Sequence, residues 1–214
     1  MFGVENMSTK LSLDGQFTFG ELQQHPKVLE YFHFPRSAIS QLEWLADVIE
    51  HKKKIGRQIR KDEEFAKEKL IILFLKFIGY ANYKGIDVQV AITTSYPGFC
   101  IYCSKKRCKC TGARIARPIN RVLITVDPDL TISVSDFQRK DWKVYPNNKE
   151  REAKLVRAMH NGEEGDEFLI EFLRGSDKSK ITEEVTDFLE RMISLASTFE
   201  IDLGKEIAIF LNNR

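Results

Sequence analysis

Two short acidic clusters in the last third of the chain carry the residues best suited to chemistry. Each contains two carboxylates three positions apart: Glu164 with Glu167, and Glu184 with Asp187. Residues at i and i+3 lie on one face of a helix, so two antiparallel helices would bring all four carboxylates together. Four converging carboxylates repel one another unless a cation lies between them, and Mg²⁺ prefers oxygen ligands of this kind. The spacing therefore predicts a magnesium site, where a metal would polarise a phosphate and lower the pKa of an attacking water.

A solvated acidic helix face is the simpler explanation for either pair taken alone. The surrounding residues favour the metal site. Phe168 and Phe172 follow the first pair, and Val185 and Phe188 lie within or beside the second. In a helix these residues form an apolar, core-facing stripe. Both acidic pairs therefore border a buried seam.

The pattern E-x-x-E, short hairpin, E-x-x-D resembles the all-α nucleoside triphosphate pyrophosphohydrolases of the MazG type. Members typically read E-E-L-A-D-V, S-L-A-N and G-I-D-L through the second half of the pattern. This chain reads Glu183-Glu184-Val185-Thr186-Asp187-Phe188, then Ser194-Leu195-Ala196, then Glu200-Ile201-Asp202-Leu203. Ser197 stands where the family usually has Asn, and Glu200 where it usually has Gly. The resemblance implies an all-α enzyme that hydrolyses an NTP or dNTP to the monophosphate and pyrophosphate, with Glu164, Glu167, Glu184 and Asp187 as its catalytic, Mg²⁺-binding residues.

Phosphate charge also needs cationic partners besides a metal. Lys154 and Arg157 precede Glu164 by two to three turns if the helix is continuous, and we predict that they bind substrate, with ordinary surface charge as the alternative. Trp142 and Tyr145 are candidates for stacking on a base, although a role in an amphipathic core fits both residues as well.

All four cysteines lie between positions 100 and 110. A C-x2-C-x4-C-x-C cluster in an intracellular protein favours a tetrahedral Zn²⁺ site, while free thiols and disulfides remain alternatives. Four thiolates would leave no open position on the metal, so the predicted zinc is structural. The preceding Tyr96-Pro97-Gly98-Phe99 resembles an extension that follows the last core helix of some MazG-like proteins. The predicted ligands are Cys100, Cys103, Cys108 and Cys110.

Internal similarity predicts two tandem MazG-like units, residues 1–115 and residues 116–214. Gly85-Ile86-Asp87 repeats the spacing seen around Ile201-Asp202, and Glu68 matches Glu183. The first unit is degenerate, because Lys69 and Ile72 replace Glu184 and Asp187. When residues 41–48 are set against 163–168, the first unit keeps Glu43 and Asp47 but has no acidic i, i+3 pair. Drift after duplication and a specialised role both explain these differences.

MazG-like units generally dimerise, and a tandem chain can make that contact internally as a pseudo-dimer. We therefore predict a helix bundle in which the first unit covers its apolar residues with the second. The oligomeric state of the chain, a monomeric pseudo-dimer or a homodimer, is left open. The residues expected at this contact are Phe74, Leu75, Phe77 and Ile78.

The predicted elements are all helices, with one exception. Residues 122–126, in a linker from Gly112 to Asp129, are β-branched enough for a short strand. Residues 52–61 are interpreted as a solvated basic loop, and electrostatic steering of polyphosphate is the functional alternative. Thr182 is predicted to be a helix N-cap. The predicted helices are approximately Phe19–Glu30, Ser37–Lys53, Asp62–Tyr83, Asp87–Thr94, Ser135–Tyr145, Lys149–Asn161, Gly162–Leu173, Thr182–Phe199 and Leu203–Asn212, of which the seventh can continue the sixth.

Composition narrows the functional class. The 214 residues are 43% hydrophobic with a net charge of +2, which argues against bulk nucleic-acid or membrane attraction. There is no apolar run of membrane-spanning length and no signal-peptide layout at the first residues, so we expect a cytoplasmic protein. Within these limits, a catalytically weak nucleotide sensor or a scaffold is the alternative to an enzyme.

Overall fold

A computed structural model describes residues 10–61, 67–100, 105–107, 127–144 and 151–214, apart from the side chains of residues 60, 61 and 151–161. Over these residues the chain is helical, and an isolated antiparallel bridge between Thr18 and Ser133 is the one extended pairing there. The all-α prediction is confirmed for this part of the chain. The described helices are α1 (Phe19–Gln24), α2 (Pro26–Tyr31), α3 (Ala38–Lys61), α4 (Lys67–Lys84), α5 (Val88–Ser95), α6 (Val134–Val144), α7 (Arg151–Arg174), α8 (Lys178–Thr198) and α9 (Leu203–Asn212).

Two helical hairpins pack side by side to form the centre of the molecule. The α3–α4 hairpin contacts the α7–α8 hairpin, with α3 against α7 and α4 against α8. Phe77 lies at the junction, its ring centroid 4.7 Å from that of Phe168 and 4.4 Å from that of Phe188. These rings belong to one continuous cluster of buried side chains. The residues predicted to need cover are all fully buried, namely Phe74, Leu75, Phe77 and Ile78.

The same hydrogen bonds occur twice in the chain, 115 positions apart (138 − 23). The Gln23 side-chain carbonyl accepts from the Val88 N–H at 2.8 Å, and its amide donates to the Ile86 carbonyl at 2.9 Å. Gln138 does the same with Leu203 at 2.8 Å and with Ile201 at 2.6 Å. Each glutamine thus ties a short helix to the turn that starts α5 or α9.

The third bond of each glutamine shows how the Asn-to-Ser difference is accommodated. The Gln23 amide donates to Asn82 Oδ1 at 2.9 Å, and the Gln138 amide donates to Ser197 Oγ at 3.0 Å. Ser197 therefore takes over the structural bond made by Asn82. The turn that follows has a left-handed residue in both places: Gly85 with φ of 63° and Glu200 with φ of 58°.

Four local predictions were wrong, for identifiable reasons. The helix predicted over residues 19–30 is two helices, because the residue before a proline avoids the α region, and His25 is extended before Pro26. Helix α8 starts at Lys178, since the Asp177 carboxylate accepts from the Lys180 N–H at 3.0 Å. Thr182 is therefore no cap, and its hydroxyl donates to the Lys178 carbonyl inside the helix.

The fourth concerns the predicted basic loop over residues 52–61, which is the last part of α3. Lys52 is not a solvated charge. Its Nζ donates to the Gly162 carbonyl at 3.0 Å and lies 2.5 Å from Asp166 Oδ1, so it joins α3 to α7. Conversely, the prediction that one helix can run through Gly162 is confirmed by α7. The predicted strand at 122–126 lies outside the described residues.

Among the described residues, none of the helices combines the length and apolarity needed to cross a bilayer.

Candidate metal-binding site

The α7–α8 hairpin brings three of the four predicted carboxylates together. Glu164, Glu167 and Glu184 each offer an oxygen, and these oxygens all lie within 4.8 Å of one another. Gly175 makes the tight turn between the helices, with a φ of 67° that favours glycine. Its N–H donates to the Phe172 carbonyl at 3.1 Å, which ends α7. A short turn thus fixes the antiparallel register on which the cluster depends. We call Glu164, Glu167 and Glu184 the acidic triad.

Asp187 lies one turn beyond Glu184 on α8 but is not part of this close set. Its Oδ1 accepts a hydrogen bond of 2.8 Å from the hydroxyl of Tyr96. Tyr96 follows α5 directly, so this bond comes from the first half of the chain. Burial raises the pKa of Tyr96 well above its usual value, and the nearby Glu190 and Asp187 charges act in the same direction. The phenol therefore stays protonated and remains a donor.

Glu164 is the most strongly perturbed member of the acidic triad. Its side chain is only 12% exposed, and Arg191 Nε lies 3.3 Å from its Oε1. Its Oε2 is buried without a hydrogen-bond partner. Burial raises the pKa of Glu164 to about 7, and the charges of Asp187 and Glu167 add to this, while Arg191 opposes it. A buried, unpartnered carboxylate oxygen is a costly feature that a bound cation would relieve.

Lys180 and Arg191, both on α8, border the cluster. Lys180 Nζ lies 2.7 Å from Glu184 Oε1 and 3.2 Å from Glu183 Oε2. The hydrogen bond to Glu184 is the main reason why the pKa of Lys180 is raised. On the other side, Arg191 contacts Glu190 Oε2 at 3.5 Å as well as Glu164. These cations offset part of the negative charge that the acidic residues concentrate here.

The first half of the chain contains a related but altered cluster. Lys76, 115 positions before Arg191, places its Nζ 2.6 Å from Asp47 Oδ2, much as Arg191 pairs with Glu164. This match sets Asp47 against Glu164 and Glu50 against Glu167. Asp47 and Glu50 are themselves an acidic i, i+3 pair, which the comparison of residues 41–48 did not include because that window ends before Glu50. The second pair is absent, because Lys69 and Ile72 stand at its positions.

Several predicted site residues cannot be placed in this cluster. Lys154 and Arg157 lie on α7, and their side chains are outside the described part of the structure. Cys103, Cys108, Cys110 and Tyr145 also lie outside the described residues. Cys100 is buried, and its backbone N–H donates to the Lys105 carbonyl at 2.9 Å. Trp142 is partly exposed on α6.

Sequence reasoning missed Lys180, Arg191 and Tyr96, which contact these carboxylates within the described part of the structure. Lys180 and Arg191 follow from helical spacing, since each lies one turn from a predicted ligand on the same helix. Tyr96 had a weaker signal, the Tyr-Pro-Gly run, which said nothing about a partner 91 positions away.

Comparison of this chain with protein-family models, with curated proteins and with solved structures finds no match in any of the three. The residues of the site are therefore the basis for assigning its chemistry. An all-oxygen donor set with a buried, unpartnered oxygen fits a hard divalent cation such as Mg²⁺ rather than a thiophilic metal.

Proposed function

We propose that this chain is a Mg²⁺-dependent nucleoside triphosphate pyrophosphohydrolase of the MazG type, acting on an NTP or dNTP. The observation that carries the proposal is the acidic triad, whose oxygens lie within 4.8 Å of one another across a helical hairpin. The E-x-x-E and E-x-x-D spacing that led to these residues supports the same reaction. Mg²⁺ bound there would polarise the phosphoanhydride and acidify an attacking water.

The protein's own residues divide the remaining work. Glu164, Glu167 and Glu184 hold the cation, and Asp187 completes the ligand set from the next turn of α8. Lys154 and Arg157 are proposed to bind substrate phosphates, because they precede the first acidic pair on the same helix. Lys180 is the other candidate, since its side chain is 41% exposed and already lies beside the carboxylates. Arg191 is more buried, and we assign it the role of holding Glu164.

We further propose that the two halves are tandem units arranged as a pseudo-dimer. The hydrogen bonds that recur 115 positions apart and the contacts of α4 with α8 support this arrangement. In the first unit, Lys69 and Ile72 offer no oxygen ligands, so that unit serves a structural role. The molecule then has a single active site, in the second unit.

The enzyme proposal is tested by incubating the purified chain with a panel of NTPs and dNTPs and Mg²⁺. We expect release of pyrophosphate and the matching monophosphate, and loss of most activity in Glu184→Gln. Glu183→Gln is the matched control, since it changes the adjacent glutamate and leaves the acidic triad intact. Absence of pyrophosphate release above the Glu184→Gln background for every nucleotide would contradict the proposal.

A nucleotide sensor or scaffold is the second candidate, and one observation favours it. Arg191 and Lys180 already neutralise two of the triad carboxylates, and Asp187 is held by Tyr96, so the site is stable as a charge network without turnover. A sensor would show a higher melting temperature with nucleotide and Mg²⁺, because binding to the native state stabilises it, together with no product. If no nucleotide changes the melting temperature, the scaffold role is favoured over the sensor.

We also propose that Cys100, Cys103, Cys108 and Cys110 bind one structural Zn²⁺. The buried position of Cys100 and its backbone hydrogen bond to Lys105 are compatible with a compact cysteine site. Protein purified under reducing conditions should contain about one Zn²⁺ per chain by elemental analysis, and chelation should lower stability more than it lowers hydrolysis. Zinc-free protein that is folded and active would refute the site.

A further inference from the structure

We propose that Tyr96 is a positioning residue through which the first half of the chain sets the orientation of Asp187, and thereby the Mg²⁺ affinity of the acidic site in the second half. This inference rests on the proposed function. It adds a residue that the acidic motif does not contain and makes the site a product of both halves.

The backbone fixes where Tyr96 points. Helix α5 packs on α8, and Tyr96 is its C-cap, with its N–H donating to the Ile92 carbonyl at 2.9 Å. Its ring packs against the hydrophobic core. Pro97 follows directly and has a restricted backbone. The hydroxyl is therefore delivered to Asp187 Oδ1, at 2.8 Å, from a rigid element rather than from a free loop.

The bond constrains the carboxylate in a way that matters for a metal. An aspartate has two oxygens, and fixing one against a donor defines the direction of the other. Asp187 lies three residues after Glu184 on α8, so its carboxylate is one turn from the acidic triad. Groups that hydrogen-bond to a ligating carboxylate typically alter metal affinity by about 10- to 100-fold when they are removed. Tyr96 is such a group, because its hydroxyl hydrogen-bonds to the Asp187 carboxylate.

A purely structural role is the competing explanation, because the same bond also joins α5 to α8. The two explanations predict different measurements. A structural bond affects the unfolding free energy and leaves the metal affinity of folded protein unchanged. A positioning bond changes the Mg²⁺ affinity, and it raises the Mg²⁺ concentration needed for half-maximal turnover while leaving kcat at saturating Mg²⁺ close to the wild-type value.

The test compares Tyr96→Phe with Tyr31→Phe, which removes an exposed hydroxyl on α2. Mg²⁺ affinity is measured by titration calorimetry on the full chain without nucleotide, so the result does not depend on turnover. We expect affinity about 10- to 100-fold weaker for Tyr96→Phe and wild-type affinity for Tyr31→Phe. The ring is kept in both variants, and thermal melts without metal measure any loss of stability.

A second pair of variants checks that Tyr96 acts through Asp187. Two residues that act through one interaction are non-additive, so Tyr96→Phe should add no further loss of Mg²⁺ affinity in an Asp187→Ala background. Additive losses would overturn the inference, as would wild-type affinity in Tyr96→Phe, or a Tyr96→Phe chain that does not fold.

The inference and the proposed function can fail separately. Pyrophosphate release with the same Mg²⁺ dependence in wild type and Tyr96→Phe would leave the enzyme intact and overturn the role of Tyr96. If Mg²⁺ binding weakens in Tyr96→Phe but the wild-type chain releases no pyrophosphate, the role of Tyr96 stands and the enzyme proposal is overturned. A wild-type chain that binds no Mg²⁺ would overturn both.

Discussion

Glu164 combines three properties that rarely occur together at a surface: burial, a guanidinium partner and two nearby like charges. Burial has the largest effect, so the pKa of Glu164 rises despite the contact with Arg191. In chemical terms the residue is a carboxylate whose charge is expensive to maintain. Carboxylates with strongly perturbed pKa values cluster at functional sites, where burial and nearby charges are arranged together.

The raised pKa predicts a pH dependence of stability. Between the usual pKa of 4.5 and the folded value of about 7, the native chain binds a proton at Glu164 that the unfolded chain does not. This contribution to the unfolding free energy is present in full below pH 4.5 and is lost as pH rises through 7. A shift of this size corresponds to about 3 kcal/mol at most.

The measurement is denaturant unfolding between pH 5 and 8 in metal-free buffer. Glu164→Gln should remove this part of the slope, because its side chain does not titrate. Glu163→Gln, one position earlier and exposed, should keep the wild-type slope. Identical slopes in wild type and Glu164→Gln would show that the burial of Glu164 does not control its titration.

At the residue scale the sequence was informative about the acidic residues and uninformative about the residues that contact them. The acidic pairs could be found because helical spacing converts directly into a shared face. Tyr96 could not be found, because its bond to Asp187 depends on how α5 packs against α8. Lys52 was misassigned for the same reason: a run of lysines indicates solvent exposure until a neighbouring helix supplies Gly162 and Asp166.

Helix α7 contains two glycines whose surroundings differ. A Cβ added at Gly162 would meet nothing within 4 Å, whereas one at Gly165 would lie 2.8 Å from Lys52 Cδ and 3.0 Å from Phe188 Cε2. Gly165 therefore permits the close approach of α7 to α8 and α3. It is flanked by Glu164 and Asp166, so it also sets the spacing of the acidic site.

The two glycines provide a matched pair of substitutions. Gly162→Ala should stabilise the chain by about 0.5–1 kcal/mol, since alanine is the better helix former and has room. Gly165→Ala should destabilise it by about 1–3 kcal/mol through overpacking against Phe188. Thermal or denaturant melts of the two variants measure both effects. Equal stabilisation by both alanines would mean that α7 and α8 do not approach closely at this point.

At the scale of elements, the sequence predicted most helices but not all their ends. The bounds of α9 were predicted at both ends, and those of α5 to within one residue, because aspartate caps start both helices. The start of α8 was missed because Asp177 lies in the polar stretch between the predicted helices Gly162–Leu173 and Thr182–Phe199. Pro26 indicated the break between α1 and α2, but the apolar periodicity on either side of it favoured one continuous helix in the prediction.

The whole molecule is held by one core that extends across both hairpins. The ring of Phe77 on α4 contacts those of Phe168 on α7 and Phe188 on α8, and all three side chains are fully buried. Separating the halves would expose all three rings to water. The pairing of the hairpins depends on contacts between residues that are distant in sequence. Internal sequence similarity could therefore suggest this pairing but could not establish it.

A shared core predicts a single cooperative unfolding transition. The chain has two tryptophans, Trp44 on α3 and Trp142 on α6, which report on different halves. The single-tryptophan variants Trp44→Phe and Trp142→Phe should each show a fluorescence transition at the same denaturant midpoint as the circular dichroism of that variant. A fluorescence midpoint displaced from the helical one in either variant would show that the halves unfold independently.

The left-handed turn after α8 has a consequence for how freely the sequence can vary. Glu200 adopts a φ of 58°, which costs a residue with a Cβ about 1–2 kcal/mol, whereas Gly85 occupies the matching turn at a φ of 63°. In a saturation library sorted for folded protein, position 200 should therefore enrich for glycine over the natural glutamate. At position 85, replacement of glycine should cost about the same 1–2 kcal/mol, and asparagine should be among the better tolerated residues. The two halves thus share a backbone shape but have reached different degrees of optimisation at the same turn, and depletion of glycine at position 200 would show that the Glu200 side chain offsets that cost.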